Sequence, residues 1–282
     1  MITKAVGLVA ILMLAGCASL ISSATVRMAD NLTTAMLNQN DLETVREGAP
    51  AYLIMIDGLI EGDPGNTDLL LAGSKLYFAY TNAFIDDEER SKLLADKSLT
   101  YAKTALCIEI PDFCMALSEK LAVFKQALDN TRRGDLPALY GYASALATWI
   151  QANAADWGAI AKLPQLTVLF ERCVELDEKF DNGGAHVFLG VLGTKLPPSF
   201  GGKPELGRAH FERALEISEG KNLMVYVLMA ESYARAVFDQ ELHDELLQTV
   251  LAKPATIPGL TLANTLAKQR AAVLLEESSD YF

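Results

Sequence analysis

Histidine and cysteine side chains have the most specific chemistry in this sequence, and both are scarce. The three histidines, His186, His210 and His243, belong to no His-Glu-x-x-His or His-x-His element. The four cysteines form no pair of Cys-x-x-Cys units, the spacing that many zinc sites use. Neither residue type therefore predicts a metal site. His243 lies in the charged run Glu241–Glu245 and is expected on a solvated helix face.

Motifs for catalysis and for nucleotide cofactors are absent from the sequence. There is no Gly-x-Ser-x-Gly nucleophile elbow, no phosphate-binding P-loop and no dinucleotide fingerprint. The acidic run Asp86–Glu89 precedes a helical stretch, and we interpret it as a helix N-terminal cap rather than a cation site. The sequence therefore predicts neither an enzyme nor a bound cofactor.

The segment Leu14–Cys17, with the sequence Leu-Ala-Gly-Cys, matches a bacterial lipobox at each of its four positions. A basic residue and a short apolar run precede it, as in a secretory signal peptide. We therefore expect removal of residues 1–16 and lipidation of Cys17, which leaves residues 17–282 as a single mature domain. The alternative is an uncleaved anchor over residues 5–21, at the lower edge of the roughly 20 residues that span a bilayer.

The lipobox also predicts the compartment, because lipidated chains of this kind lie outside the cytoplasm, where disulfides persist. Ala18, rather than Asp, follows the cysteine. By analogy with lipoprotein sorting this favours the outer membrane, with the domain facing the periplasm. Cys107 and Cys114 flank a helix end at Pro111, so a disulfide and two small buried thiols both remain open. Cys173 lies within a helical pattern and is expected to be a buried thiol.

Composition limits the partners of the domain. The chain has 282 residues, of which 51% are hydrophobic, and a formal net charge of −12. Binding along a phosphate backbone needs clustered Lys and Arg, so the acidic balance excludes a nucleic-acid partner. The hydrophobic content is sufficient for a substantial core.

The elements that carry these residues are predicted to be helices. From residue 25 to residue 279, apolar side chains recur mostly at spacings of three and four rather than two, which predicts an all-α fold. The segment Phe170–Glu178 matches Phe211–Glu219, 41 residues later. Repeats of this length in a helical chain are typical of stacked helix pairs.

The packing positions of these helix pairs resemble those of tetratricopeptide repeats. Tyr226–Tyr233 fits a first helix and Gly207–Ala214 fits a second. Small residues stand where two helix backbones approach, and an aromatic side chain fills the gap between hairpins. The predicted fold is a stack of helical hairpins built from degenerate tetratricopeptide-like repeats, an α-solenoid.

Four segments in a fixed order resemble the TatT family, which comprises periplasmic tetratricopeptide lipoproteins associated with TRAP transporters. They are the lipobox at Cys17, Leu69–Tyr77, Pro197–Ala214 and Tyr233–Asp239. The resemblance implies a lipid-anchored homotrimer that pairs with a periplasmic solute-binding protein of the TRAP type. It also implies that a small hydrophobic or carboxylate ligand is handed to the transporter. The alternative is a scaffold lipoprotein for outer-membrane or secretion-complex assembly.

The loop between residues 195 and 204 is the first candidate for a functional contact. Its prolines restrict the backbone, its glycines permit unusual backbone angles, and its aromatic side chain lies near the surface. The candidate residues are Pro197, Pro198, Phe200, Gly201 and Gly202. The loop is either a partner contact or pore rim, or a long connector whose phenylalanine folds back onto the stack.

Aromatic residues on predicted first helices are candidates for lining a ligand groove, because those helices border the concave side of such stacks. Tyr140 and Tyr226 are the positions that we select. Tyr142 and Trp149 share the hairpin of Tyr140, and Phe188 lies on a later first helix. The alternative for all of them is ordinary core packing between neighbouring helices.

Overall fold

A computed structural model of the chain describes residues 27–28, 31–195 and 202–282. Within these residues every regular element is helical, which confirms the predicted all-α class. None of the described helices combines the length and the apolar run that crossing a bilayer requires.

Helical residues at 27–28 and 31–37 come first. The helices that follow are α1 (Leu42–Gly62), α2 (Thr67–Phe84), α3 (Glu88–Glu109), α4 (Pro111–Ala116), α5 (Leu121–Asp129), α6 (Leu136–Ala152), α7 (Trp157–Ile160), α8 (Leu163–Asp177), α9 (Gly184–Lys195), α10 (Pro204–Ile217), α11 (Leu223–Met229), α12 (Gln240–Ala252), α13 (Thr261–Glu276) and α14 (Ser278–Tyr281). Short 3-10 segments at Arg133–Asp135 and Phe180–Gly183 precede α6 and α9. A π-helical turn, Ala230–Ala234, continues α11.

The described helices form a stack of four hairpins. They are α2 with α3, α6 with α8, α9 with α10, and α11 with α12, and each hairpin also packs on the next. Helix α1 packs on α2 at one end of the stack, and α13 packs on α11 and α12 at the other. The predicted α-solenoid of helical hairpins is therefore confirmed.

Equivalent phenylalanines fill the second helices of successive hairpins. Phe170 in α8 and Phe211 in α10 occupy the matching positions of the sequence repeat, and both are fully buried. A Cβ atom on Gly190 of α9 would lie 2.8 Å from the Phe211 ring. The small residue therefore allows α9 to approach the ring of α10, as the repeat pattern predicts.

Side-chain caps determine where several helices begin. Asn66, Asp87 and Asp239 each accept a hydrogen bond from the backbone N–H three residues later, at the starts of α2, α3 and α12. A cap of this kind contributes about 1 kcal/mol to helix stability. The predicted role of the acidic run Asp86–Glu89 as a helix cap is thus found at Asp87.

The two cysteines that flank Pro111 lie in adjoining helices. Cys107 in the last turn of α3 and Cys114 in α4 are disulfide-bonded, with Cα atoms 4.9 Å apart. The bond closes the corner where α3 ends and Pro111 starts α4. Cys173 in α8 is a free thiol that is 1% exposed, and burial raises its pKa to about 12.

The two ends of the stack come together. Leu262, near the start of α13, is 7% exposed and belongs to the same apolar cluster as Val45 and Ile56 of α1. The Gly259 N–H donates a hydrogen bond to Asn38 Oδ1 at 2.7 Å. The superhelix therefore brings α13 against α1, a contact between residues more than 200 positions apart that the repeat pattern does not reveal.

The predicted exposure of His243 is wrong. Its side chain is 0% exposed because α12 turns it toward the C-terminal segment, where the Phe282 ring lies 5.2 Å away. His243 Nδ1 bonds Asp244 Oδ1 at 2.8 Å, and the same carboxylate oxygen accepts a hydrogen bond from Ser278. Neighbouring charges in the sequence suggested a solvated face, but the segment after α13 covers it.

Candidate ligand pocket

First helices α2 and α6, together with the 3-10 turn before α9, surround a cavity of about 180 Å³. This volume is well above the roughly 10–15 Å³ that one water needs. The lining combines apolar side chains with a few polar ones. The lining residues are Leu71, Ser74, Lys75, Phe78, Pro137, Tyr140, Gly141, Ser144, Ala145, Phe180 and Asp181.

Helical spacing accounts for the side that α2 contributes. Leu71, Lys75 and Phe78 follow one another at intervals of four and three, so they share one face of the helix. On α6, Tyr140 and Ser144 are likewise four residues apart. The pocket therefore lies where two first-helix faces meet, which is the side that the repeat architecture uses for ligands.

Three polar groups converge at the pocket. The Tyr140 hydroxyl donates a hydrogen bond to Asp181 Oδ2 at 2.8 Å. Lys75 Nζ lies 3.7 Å from Asp181 Oδ1, with side-chain exposures of 53% and 39%. The Asp181 carboxylate thus has one oxygen bonded to the tyrosine and the other facing an ammonium group.

The backbone of the 3-10 turn holds Asp181 in place. Asp181 has φ 49° and ψ 46°, and Asn182 has φ 57° and ψ 34°, so both residues adopt the left-handed region. Asp and Asn tolerate this region better than most residues because their short polar side chains bond locally. A Cβ on the following Gly184 would collide with the Tyr140 hydroxyl, so only glycine allows the turn to approach this ring.

The Tyr140 hydroxyl is a neutral donor at physiological pH. Burial, and after it the Asp181 carboxylate, raise the pKa of Tyr140 well above its ordinary value, while the nearby Ser144 hydroxyl acts in the opposite sense. Ser144 is 7% exposed, and its Oγ has no partner of hydrogen-bond geometry among the described residues.

Comparison with known proteins identifies the family. The family of the TRAP transporter T-component, TatT, matches residues 38–282, which include both pocket helices and all four hairpins. The chain belongs to this family. An uncharacterized protein of Treponema pallidum (strain Nichols) is also similar, with 24% identity over 274 residues that cover 89% of this chain and 84% of that protein.

Family membership confirms the resemblance inferred from the sequence and gives this TatT protein a TRAP-associated role. A component of a transporter acts in the cell envelope, and its role points away from catalysis. The geometry agrees with a binding role, because the pocket joins apolar walls to a few fixed polar groups.

The two tyrosines selected from the sequence lie in different places in this TatT protein. Tyr140 lines the pocket. Tyr226 on α11 contacts Lys253 instead, whose Nζ donates to the tyrosine hydroxyl at 2.9 Å and lies 4.8 Å from the ring centroid. The structure therefore does not bring Tyr140 and Tyr226 together around this cavity.

The other aromatic residues of the predicted set are mainly structural. Phe188 stacks on Phe170 at 4.4 Å and contacts the Tyr140 ring edge. Tyr142 is buried in the core, and Trp149 donates to Asp96 Oδ1. Of the pocket residues, the sequence singled out Tyr140 alone by role. Lys75 lies within the family segment Leu69–Tyr77, and Asp181 begins the sequence Asp-Asn-Gly-Gly, a composition typical of turns.

The remaining candidate sites lie mostly outside the described residues. Cys17, Pro197, Pro198, Phe200 and Gly201 belong to this group. Gly202 is described and buried, at the point where the chain returns from the loop to α10. There the Lys203 N–H donates to the Gly193 carbonyl oxygen at 2.8 Å, so the base of the loop is fixed against α9.

Two histidines that no sequence motif connects form a pair in the structure. His186 Nδ1 of α9 and His210 Nδ1 of α10 are 2.8 Å apart, so one ring donates and the other accepts. His186 Nε2 lies 3.6 Å from the Glu178 carboxylate. An Nε2–H on His186, with Nδ1–H on His210, best satisfies both neighbours. In the part of the chain that the structure describes, no three or more His, Cys, Asp or Glu side chains gather in a metal-binding group.

Proposed function

We propose that this protein is a lipid-anchored, periplasm-facing component of a TRAP-type transport system. It pairs with the periplasmic solute-binding protein and helps to capture or hand over a small ligand. The observation that carries the proposal is the match of residues 38–282 to the TRAP transporter T-component family. The pocket between α2 and α6 supports a ligand-handling role, because it offers apolar walls and convergent polar groups.

The anchor and the assembly are part of the same proposal. Lipidation of Cys17 after removal of residues 1–16 would tether residues 17–282 to the outer membrane. The assembled form is a homotrimer, to be measured by light scattering of the purified full chain. The loop around Phe200 is the proposed partner contact or pore rim, and its base is fixed by the hydrogen bond from the Lys203 N–H to the Gly193 carbonyl oxygen.

The test of this function is affinity capture of tagged full-length protein from cross-linked native cells. We expect a TRAP solute-binding protein or a TRAP membrane subunit among the recovered proteins. A Cys17→Ala variant is the control for anchoring, since it removes the lipid acceptor but leaves the domain unchanged. Recovery of secretion or outer-membrane assembly proteins instead would contradict the proposal and favour the scaffold alternative.

The same capture experiment can also test whether the loop is the partner contact. Phe200→Ala should reduce recovery of the solute-binding protein several-fold if the loop is the contact. Trp157→Ala is the matched control, because Trp157 is an aromatic residue that is 77% exposed on α7. Equal recovery of the solute-binding protein with both variants would show that the loop is not part of the interface. The family assignment would be unaffected.

A further inference from the structure

The Lys75–Asp181 pair in the pocket is an open ion pair. Its closest N···O distance, 3.7 Å, is longer than a hydrogen bond. Elsewhere in the same helix bundle Lys97 donates directly to Asp57 at 2.6 Å. The ammonium and carboxylate groups of the pocket therefore face each other without forming a hydrogen bond. Both keep the capacity to bond a ligand.

Asp181 is the fixed member of the pair and Lys75 the adjustable one. Oδ2 of Asp181 accepts the Tyr140 hydroxyl hydrogen bond, and its backbone is held in the left-handed turn. Lys75 extends a flexible four-carbon chain from α2, with half of its side chain exposed. A ligand can therefore bind alongside the two charges with only the lysine adjusting its position.

The charges of the lining select among ligands. A molecule with only a carboxylate would face Asp181, and a molecule with only an amine would face Lys75, so each meets one like charge. A neutral apolar molecule would desolvate both charged groups and offer them nothing in return. A zwitterion gives each protein charge an opposite partner.

We propose that the pocket binds a small zwitterion with an apolar body, namely an α-amino acid with an apolar side chain. Its ammonium group pairs with Asp181 Oδ1 and its carboxylate with Lys75 Nζ, while its side chain packs on Leu71 and Phe78. Ser144, whose Oγ has no partner of hydrogen-bond geometry among the described residues, lines the same pocket. The inference rests on the proposed ligand-handling function and names the class of ligand.

Covalent geometry favours the α-amino acid over longer zwitterions. Its ammonium nitrogen and carboxylate oxygens are about 3 Å apart, as the N–Cα and Cα–C bond lengths require. That separation is close to the 3.7 Å between Lys75 Nζ and Asp181 Oδ1. The four charges then alternate in sign around a small ring, so each has an opposite charge on both sides.

The test is calorimetric titration of the purified full-length chain with leucine and three analogues. Isocaproate lacks the ammonium group, isopentylamine lacks the carboxylate, and ε-aminocaproate holds both charges far apart. We expect leucine to bind at least about tenfold more tightly than each analogue, because each analogue leaves at least one charge of the pair poorly matched.

Two variants separate a recognition role from a structural one. Lys75→Met should reverse the preference toward isopentylamine, and Asp181→Asn should reverse it toward isocaproate. Asparagine tolerates the left-handed backbone at this position, so the second variant is expected to keep the turn. Both variants keep the apolar walls.

The outcomes decide the matter in either direction. Leucine selectivity with opposite shifts in the two variants supports the inference. Equal binding of leucine and isocaproate, a preference unchanged by Lys75→Met, or no binding of leucine would overturn it. Capture of the solute-binding protein from cells is an independent measurement, so failure of the amino-acid proposal leaves the proposed transport role standing.

Discussion

The Tyr140 hydroxyl determines the direction of the Asp181 carboxylate, although the two residues are 41 positions apart. Its raised pKa keeps the group protonated, so it donates to the carboxylate rather than competing with it. The residue supplies both an apolar wall and a positioned hydrogen bond. A pocket built in this way depends on single atoms, which makes single-atom substitutions informative.

Replacing each of the two selected tyrosines by phenylalanine tests which one serves a ligand. Tyr140→Phe removes the bond to Asp181 and should weaken leucine binding several-fold, with a loss of about 1 kcal/mol in unfolding free energy. Tyr226→Phe removes the hydrogen bond from Lys253 and should have a comparable effect on stability but none on affinity. Titration and urea unfolding of both variants measure this, and an affinity loss in Tyr226→Phe would contradict the placement.

Gly184 is a second residue at which one atom decides the packing. Gly184→Ala should cost about 1–3 kcal/mol of stability, because its Cβ would overlap the Tyr140 hydroxyl. Adding Tyr140→Phe removes the colliding oxygen and should restore part of the loss. Gly48→Ala on α1 is the control, since nothing lies within 4 Å of its Cβ position. If the double variant is no more stable than Gly184→Ala alone, steric conflict is not the cause.

At the scale of elements, α9 and α10 are joined by two side chains whose protonation depends on pH. The histidine pair links α9 to α10, and desolvation by burial lowers the pKa of both rings, that of His210 to about 4. The unfolded chain, with a histidine pKa near 6.5, then binds protons that the folded chain does not. The contribution of the two neutral histidines to the unfolding free energy is therefore complete above pH 6.5. It is lost as the pH falls toward 4.

Thermal unfolding between pH 7 and pH 5 measures this effect. The unfolding free energy should fall by about 1–2 kcal/mol over this range because of the pair. His210→Gln should flatten the slope, since glutamine does not titrate. The range stays above the ordinary carboxyl pKa values, so acid titration of Asp and Glu contributes little. An unchanged slope in the variant would argue against the pair as the source.

The corner between α3 and α4 gives a chemical prediction at the same scale. Under denaturing, non-reducing conditions a chain lipidated at Cys17 as proposed should be alkylated at Cys173 alone, because Cys107 and Cys114 are bonded. Reduction should add two labelled sites, as counted by mass spectrometry. The closed loop is short, so the bond stabilises by roughly 2–3 kcal/mol in the chain-entropy model. Labelling of all three thiols without reductant would favour two buried thiols.

The helices and their pairing could be predicted from the sequence because the signals are local. Apolar spacing, prolines and the Phe170–Phe211 repeat all lie within one or two helices. The pocket could not be predicted in the same way, since Lys75 and Asp181 are more than 100 positions apart and meet only through the stacking of hairpins. The predicted exposure of His243 is wrong for a related reason. The segment that buries its side chain follows another helix, so it is distant in the sequence.

At the scale of the whole molecule, the contact between α13 and α1 alters how stability is distributed. An open repeat stack has two free ends, each contacting one neighbour only. Here Leu262 of α13 belongs to the apolar cluster of α1 and α2, so the ends support each other. The N-terminal helix should therefore depend on a residue at the far end of the chain.

Two leucines of α13 test the contact between α13 and α1. Leu262 is the test position, and Leu274 on the same helix is the control. Leu262→Ala and Leu274→Ala both remove nearly buried side chains, 7% and 6% exposed, and should each cost about 2–4 kcal/mol. Leu274 belongs to the cluster of α10, α11 and α12 rather than to the cluster that contains the α1 residues. Hydrogen exchange should therefore accelerate in α1 with Leu262→Ala and remain slow there with Leu274→Ala, apart from the effect of global unfolding. Equal acceleration of α1 exchange in the two variants would mean that the ends touch without sharing stability, since a coupled contact transmits its loss to its own partner first.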